Sequence, residues 1–380
     1  MLSNSNKEEE MKISLQKADL ERAINFVQGI IDKRTTNPIL SNILFSASDN
    51  KLELYSTNMD ISSIEQIDAN IEAAGRSVVS AKMLFDIIRK FPPGEIQLRR
   101  MDNNWLELKS ASVQYKIAGL HPEEYPTIEK PKKGDYIGIK SKTLLSLIKR
   151  TIFAVSYEDV KKILGGILFD FSDENMFKLV ATDGHRLSLV REPMSIKIKK
   201  KGDNSVVLPR KGMAELLKIL ETTDEEIKVS LDEKMAIFKT ETKVLMMKVL
   251  EGTFPDYNQV IPTENNRTLK INRQRFYDAL SRMVIVSAER SNIVRISFSN
   301  EGVVVSSESP NEGEGKEFVE AEFTGSKIEM GFNARYLMDI LEVTSDEVIE
   351  MRILDELSAV LVKPSQDDNF INVVMPVRMP

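Results

Sequence analysis

The residues that could carry chemistry are few, and the clearest pair is Asp183 and His185 in the segment ATDGHRL (181–187). A carboxylate close to an imidazole can serve as an acid–base pair. The same residues are also typical of a turn, because Asp-Gly favours tight turns. The chain contains neither a G-x-S-x-G nucleophile elbow nor a G-x-x-x-x-G-K-[ST] phosphate loop. We therefore interpret the segment as a structural or binding turn.

The composition excludes several other classes of site. The 380 residues include no cysteine and only two histidines, which excludes disulfides and thiolate metal sites and argues against a multi-histidine metal site. We expect no cofactor and no bound metal. No apolar run approaches the ~20 residues that span a bilayer, and the polar N-terminus MLSNSNKEEE lacks the apolar region of a secretory signal. We expect a cytoplasmic protein without a membrane partner.

The elements that must position these residues repeat three times along the chain. Each copy opens with a similar segment, KISLQKADLERAI, GIKSKTLLSLI or KINRQRFYDAL, and its second half opens with VVSAKMLFDII, VVLPRKGMAELL or MGFNARYLMDIL. In each segment alternation gives way to i, i+4 spacing, which indicates a short strand followed by a helix. Hairpin-like segments with turn residues lie between. The sequence predicts an α+β fold in which every copy is a pair of βαβββ units.

The repeats also predict the domain organisation. We expect an N-terminal extension at 1–10 and three similar domains at 11–129, 135–257 and 264–380, separated by segments rich in proline and charge. Similar domains joined head to tail make either an open filament or a closed ring. A ring covers the edges of every sheet, so closure is the favoured arrangement.

Charge is unevenly distributed. Five of the six predicted helices (17–34, 82–90, 140–151, 210–220 and 273–282, but not 334–342) are net positive, although the whole chain has a net charge of −6. Lysine and arginine on solvated helix faces would explain each helix alone. The asymmetry across five helices instead favours a polyanion beside them, with weak phosphate contacts that do not depend on sequence.

The C-terminal segment 372–380 is unusually apolar and contains two methionines. One interpretation is a last core strand. The other is half of an adaptable apolar groove, because methionine packs against varied partners.

Four segments together resemble the bacterial DNA polymerase III beta subunit, or beta sliding clamp, family: ATDGHRL (181–187), FPDYNQVIP (254–262), GFNARYLMDIL (331–341) and VVMPVRM (373–379). The resemblance extends from residue 11 to residue 379. It implies a homodimeric ring of six similar domains, with helices lining the hole and sheets outside. Such a ring encircles double-stranded DNA without sequence preference and acts as a non-catalytic processivity factor.

The resemblance also implies partners and their site. The DNA polymerase III alpha subunit, the clamp loader complex, other DNA polymerases and repair proteins would each dock a short apolar motif in a groove between domains 2 and 3. The residues that match this groove are Leu164, Thr182, Gly184, His185, Arg186, Leu187, Pro255, Val260, Asn333, Tyr336, Val374, Met375, Pro376, Val377, Arg378 and Met379.

Two further sets follow from the same resemblance. The basic residues expected to face DNA are Arg34, Lys82, Lys149, Arg150, Arg210, Lys211, Arg273 and Arg282. The residues expected at the dimer interface are Tyr115, Ile117, Ile285 and Val286.

Departures from the family pattern and two other function classes bear on this interpretation. Gln259 stands where an arginine is common, and the chain ends in Val377-Arg378-Met379-Pro380 rather than in leucine, so peptide preference can differ. A hydrolytic or metabolic enzyme using Asp183 and His185 is one alternative, which the missing nucleophile and metal ligands disfavour. A peptide-binding scaffold without DNA is the other, which the basic helices disfavour.

Overall fold

The computed structural model describes residues 11–32, 36–127, 136–194, 204–287, 292–309 and 313–379. The predicted extension 1–10 and Arg34 lie outside these residues, as does part of the segment between the first two predicted domains. None of the helices described is long and apolar enough to cross a membrane.

The described residues form six α-helices, and each begins where a strand ends. They are α1 (Lys17–Gln28), α2 (Ala81–Ile88), α3 (Ser141–Ile152), α4 (Arg210–Leu220), α5 (Arg273–Ile285) and α6 (Ala334–Val343). Asparagine caps make two of these abrupt starts possible, because an N-cap side chain satisfies an orphan backbone donor. Asn272 accepts from the Arg275 backbone N at 3.0 Å, and Asn333 accepts from the Arg335 backbone N at 3.0 Å.

The helix bounds agree with the sequence prediction to within three residues except at α1. The sequence predicted a helix as far as residue 34, but α1 ends at Gln28 and Gly29 is its C-cap. Gly29 has helical backbone angles, so its conformation does not by itself end the helix. Because it has no side chain, Gly29 instead allows the Glu215 side chain to lie close to its backbone. A Cβ at Gly29 would lie 2.2 Å from a carboxylate oxygen of Glu215 on α4.

The strands are short. In chain order they are β1 (Lys12–Gln16), β2 (Asn42–Ser48), β3 (Lys51–Thr57), β4 (Ile61–Asp68), β5 (Asn70–Ala73), β6 (Gly75–Ser80), β7 (Glu95–Arg100), β8 (Leu106–Ser110), β9 (Val113–Ile117), β10 (Gly119–Leu120), β11 (Ile137–Lys140), β12 (Gly166–Asp173), β13 (Met176–Thr182), β14 (Arg186–Pro193), β15 (Ser205–Pro209), β16 (Glu226–Leu231), β17 (Met235–Lys239), β18 (Lys243–Lys248), β19 (Arg267–Asn272), β20 (Ile293–Ser299), β21 (Gly302–Ser309), β22 (Gly313–Val319), β23 (Ala321–Thr324), β24 (Ile328–Asn333), β25 (Val348–Ile353), β26 (Val360–Pro364) and β27 (Phe370–Val374).

The predicted α+β fold of paired βαβββ units is confirmed. The first copy contains β1-α1-β2-β3-β4 and β6-α2-β7-β8-β9, and the other two copies repeat the order around α3 to α6. The short strands β5, β10 and β23 are additions that the sequence pattern did not predict. A single residue separates each from the preceding strand, and each pairs in the other sheet of its unit.

The first of two compact units comprises Met1–Ser141 and Ala214–Lys248. It contains a five-stranded sheet, in the order β5-β1-β7-β8-β9, and a nine-stranded sheet, in the order β10-β6-β2-β3-β4-β18-β17-β16-β11. Helices α1 and α2 pack against each other, and α1 also packs on β3 and β4. The pairing of β4 with β18 joins strands of the first and second predicted domains in one sheet.

The second unit comprises Lys142–Met213 and Val249–Pro380. Its nine-stranded sheet has the order β15-β12-β13-β14-β27-β26-β25-β19-β23, and its four-stranded sheet has the order β22-β21-β20-β24. Here β14 pairs with β27, which joins strands of the second and third predicted domains. Because strand pairing continues across both predicted boundaries, the contacts divide the second predicted domain between the two units. The domain boundaries stay a prediction.

Candidate functional site

The ATDGHRL segment forms a tight turn between β13 and β14. Asp183 Oδ1 accepts from the backbone N of His185 at 2.9 Å and of Arg186 at 3.0 Å, and Thr182 Oγ1 accepts from the Gly184 N at 3.1 Å. Gly184 has φ +91°, a conformation that glycine adopts without strain. The Asp183 carboxylate is therefore committed to the turn and to Arg186, which favours the structural interpretation over an acid–base pair.

Arg186 is the most heavily bonded side chain of the site, and its side chain is only 8% exposed. Its Nε donates to Asp183 Oδ2 at 3.0 Å, and its two terminal nitrogens donate to Asp339 Oδ2 at 2.5 Å and to the Phe153 carbonyl at 2.6 Å. The guanidinium also lies 4.4 Å from the Tyr336 ring centre. Arg186 thus ties the turn to α6 and to the residue that follows α3.

A buried tyrosine fixes the FPDYNQVIP segment. The Tyr257 hydroxyl donates to Asp170 Oδ2 on β12 at 2.7 Å. Burial raises the pKa of Asp170, but hydrogen bonds from Ser172 and Tyr257 outweigh it and leave that pKa below its ordinary value. Burial and the bond to Asp170 raise the pKa of Tyr257. This anchor holds the short 3-10 helix Tyr257–Val260, at whose end Val260 is 50% exposed.

The C-terminal residues cross from one sheet of the second unit to the other. Strand β27 pairs with β14 in a register that sets Arg186 opposite Val374. Beyond it, the Met375 N donates to the His185 carbonyl at 2.9 Å, and the Val377 N donates to the Gly331 carbonyl at 2.8 Å. A Cβ at Gly331 would lie 2.7 Å from the Val377 carbonyl oxygen, so this approach requires glycine.

These segments surround a cavity of about 170 Å³ within the second unit. Nine residues predicted for the groove line it: Leu164, Thr182, Gly184, His185, Arg186, Leu187, Pro255, Val260 and Met375. Asp256, Tyr257 and Val373 also line it and were not predicted. All three lie inside segments that carried the resemblance, FPDYNQVIP and VVMPVRM, so proximity in sequence to predicted residues was the available signal.

The other predicted groove residues lie elsewhere. Asn333 and Tyr336 line a neighbouring cavity of about 380 Å³ with residues of α5 and α6, and Arg186 borders both cavities. Pro376, Val377, Arg378 and Met379 follow the strand as a partly exposed tail. Val374 differs from the others: its side chain is fully buried in the core of the second unit and does not line the cavity, so its groove role stays a prediction without local support.

The basic residues expected to face DNA differ in their local contacts. Lys82 on α2 and Lys149 on α3 are exposed, and Lys211 on α4 is half-buried. Arg150 pairs with Asp367 at 2.9 Å, Arg273 donates to the Leu341 carbonyl at 3.0 Å, and the Arg210 guanidinium stacks 3.9 Å from the Tyr157 ring centre. Both Nε and Nη2 of Arg282 bond to Glu317, which compensates its charge locally.

The residues expected at a dimer interface are also unequal. In the first unit Tyr115 is exposed on β9, whereas Ile117 is only 4% exposed. The Ile117 side chain belongs to the core, so only its backbone on the edge strand β9 is open to a partner, and its place at an interface stays a prediction. In the second unit Ile285 is 77% exposed at the end of α5, and the adjacent Val286 is half-buried. Within the described ranges, no cluster of three or more acidic or histidine side chains could hold a metal ion.

Comparison with known proteins agrees with this fold. Family models for the N-terminal, central and C-terminal domains of the DNA polymerase III beta subunit match residues 11–129, 138–256 and 258–378. The beta sliding clamp of Caulobacter vibrioides is 31% identical over 374 residues, which cover 97% of this chain and 100% of that protein.

Two crystal structures show the same similarity in three dimensions. The beta sliding clamp of C. crescentus superposes with a TM-score of 0.93 at 30% identity, covering 98% of this chain and 100% of that one. The sliding clamp of Bartonella birtlesii, solved bound to griselimycin, has a TM-score of 0.93 at 31% identity, covering 97% of this chain and 100% of that one.

Three matched domain models and six βαβββ units define the class of DNA clamps, whose members serve as processivity factors and are not enzymes. This chain belongs to the DNA polymerase III beta subunit family, the beta sliding clamps of bacteria.

The buried Tyr257–Asp170 bond generates a pH-dependent prediction. Tyr257→Phe should lower the free energy of unfolding at neutral pH by about 1–3 kcal/mol, because the charged Asp170 loses a donor. Asp170 has a lowered folded pKa, so its stabilisation is present above its unfolded pKa of about 3.9 and is lost as pH falls through the folded value. The difference from wild type should therefore shrink below roughly pH 4.

Chemical denaturation across this pH range measures the effect. The Tyr257→Phe variant is compared with Tyr277→Phe, which alters a half-buried tyrosine of α5. The free energy of unfolding of Tyr277→Phe should differ little from wild type at any pH. A difference that stays constant down to pH 3 or so would show that Asp170 is not the group involved.

Arg186 generates a second prediction. Arg186→Ala should destabilise the second unit by about 3 kcal/mol or more, because it leaves Asp183 and Asp339 without their buried partner. Arg295→Ala is the matched control: its ion pair with Glu329 spans 3.1 Å between two exposed side chains and should contribute less than about 1 kcal/mol. Calorimetry distinguishes the two variants. If Arg186→Ala melts like wild type, Arg186 is not a structural tie.

Proposed function

We propose that two copies of this chain close head to tail into a ring around double-stranded DNA. The observation that carries the proposal is a pair of open sheet edges. Among the described residues, β9 ends the five-stranded sheet and β22 ends the four-stranded sheet, and neither has an outer partner. Each edge carries an exposed aromatic side chain, Tyr115 and Phe318. Pairing unlike edges of two chains would cover both, as an edge strand requires.

DNA retention by such a ring is topological. Exposed lysines such as Lys82 and Lys149 would contact phosphates weakly and without sequence preference, while the net charge of −6 disfavours adhesion elsewhere. Arg282 would contribute less to these phosphate contacts, because its charge is paired with Glu317. We propose that the protein acts in the cytoplasm, where a bacterial chromosome is copied.

The second part of the proposal is that the cavity of the second unit tethers partner proteins. These partners are the DNA polymerase III alpha subunit, the clamp loader complex and other polymerases and repair proteins. Leu164, Leu187 and Val260 form apolar walls of the cavity. The exposed side chain of Met375 also lines it, and methionine adapts its conformation to varied partners. Each apolar side chain of a motif such as Gln-Leu-x-Leu-Phe that is buried there would contribute about 1.5–3 kcal/mol.

Loading onto nicked circular DNA tests the ring. With the cognate clamp loader, the wild-type protein should stay on circles through gel filtration and leave when the circle is cut. Ile285→Asp should be monomeric in light scattering and should not be retained, because a charge would be buried without a partner. Leu357→Asp, at another exposed aliphatic residue, between β25 and β26, is the matched control and should behave like wild type.

Two outcomes would contradict the ring. Equal loss of the wild type from circular and linear DNA would indicate adhesion rather than encirclement. A wild-type protein that stays monomeric and still binds the peptide motif would instead indicate a peptide scaffold.

Truncation after Val374 tests the tether. Removing residues 375–380 should weaken binding of a fluorescent Gln-Leu-x-Leu-Phe peptide at least tenfold, about 1.4 kcal/mol, in an anisotropy titration. The melting temperature should change little, because Met375 and Arg378 are exposed and the described tail adds only two backbone hydrogen bonds. Met59→Ala, at an exposed methionine of the first unit, is the control. Unchanged peptide affinity would place the groove elsewhere, and unfolding would make these residues part of the core.

A further inference from the structure

A larger cleft lies in the first unit, whereas the groove residues described above belong to the second. It has a volume of about 760 Å³ and is bordered by α1, the end of β4, the start of β18 and the C-terminal end of α4. We call it the α1 cleft and define it by Asp19, Arg22, Phe26, Glu65, Thr222 and Lys243. Its size is that of a small-molecule site.

Glu65 on β4 is the unusual residue of the α1 cleft. It is only 1% exposed, and its Oε2 atom receives no hydrogen bond. Burial raises the pKa of Glu65, and the nearby charges of Lys243 and Arg22 do not offset it. A buried carboxyl oxygen without a donor is costly, so native structures seldom leave one unexplained.

The cations nearest to Glu65 are engaged elsewhere. Lys243 sits directly opposite Glu65 in the β4–β18 pair, so the two side chains leave the sheet on the same face. The Lys243 Nζ nevertheless lies 5.2 Å from the Phe26 ring centre and makes no ion pair with Glu65. Arg22 pairs with Asp19 at 2.9 Å. An acid and a base thus face one cleft side by side without neutralising each other.

We propose that the α1 cleft binds a small zwitterion of the amino-acid or dipeptide class. Its ammonium group would donate to Glu65 Oε2, and its carboxylate would accept from Lys243. Opposite residues of an antiparallel pair have Cβ atoms about 5 Å apart, which a group of amino-acid size can bridge. A simple cation would be repelled by Lys243, and a simple anion by Glu65, so both charges are needed on one ligand.

The position of the α1 cleft gives this site a structural consequence. Glu65 and Lys243 belong to the strand pair that joins the first and second predicted domains. A ligand that contacts both residues favours the paired strands, and by mass action it stabilises the folded first unit.

Calorimetric titration of the purified full-length chain with glycylglycine tests the proposal. Ethylamine supplies the cation-only arm and acetate the anion-only arm, all at constant ionic strength and without DNA. We expect saturable binding of glycylglycine alone, with a rise in melting temperature. Glu65→Gln and Lys243→Met should each weaken binding at least tenfold, whereas Asp60→Asn, an exposed carboxyl of the same sheet region, should not.

Each contrary result overturns the proposal. Failure of glycylglycine to bind would do so, as would equal binding of ethylamine or acetate, which would indicate a simple ion site. Unchanged affinity in a folded Glu65→Gln or Lys243→Met variant would place the ligand elsewhere. Circular dichroism shows whether each variant is folded. If one variant fails to fold, the binding affinity of the other still tests the proposal. The absence of DNA keeps the result independent of ring closure.

Discussion

The pairing of β14 with β27 is the interaction on which the site of the second unit depends. It sets Arg186 opposite Val374 and Leu187 opposite Val373, and it brings the Met375 N to the His185 carbonyl. A slip of one residue would turn every side chain of β27 to the other face. Val373 would then leave the cavity and Val374 would leave the core. One strand register thus decides which C-terminal side chains face a ligand.

The position of the charged side chains of the site depends on the same strand register. Once β14 is in place, Arg186 lies where it can neutralise Asp183 and Asp339 while stacking on Tyr336. The resemblance placed Arg186 among the groove residues, but a buried guanidinium with three hydrogen-bonded partners first stabilises the fold. The two cavities that it borders therefore share one wall, and a displacement of Arg186 would alter both.

Much of the fold was predictable because the same pattern occurs three times. Alternation followed by i, i+4 spacing predicted all six helices, and only the end of α1 differed by more than three residues. The Tyr257–Asp170 bond was not predictable, because it joins residues far apart in sequence. Burial of Ile117 and Val374 also escaped prediction, since the sequence does not show how deeply a residue at a strand end sits. The pairing of Arg282 on α5 with Glu317 on β22 was not predictable either, because the two residues are 35 positions apart in sequence.

The place of β27 in its sheet has a consequence for folding. It is the last described strand in the chain, yet it lies in the interior of the nine-stranded sheet, between β14 and β26. During synthesis both neighbours would present open edges until β27 emerges, and closing this sheet requires contacts between residues far apart in sequence. Insertion of β27 is therefore a late event that removes two aggregation-prone edges at once, and slow release of this segment would prolong the dependence of the nascent chain on chaperones.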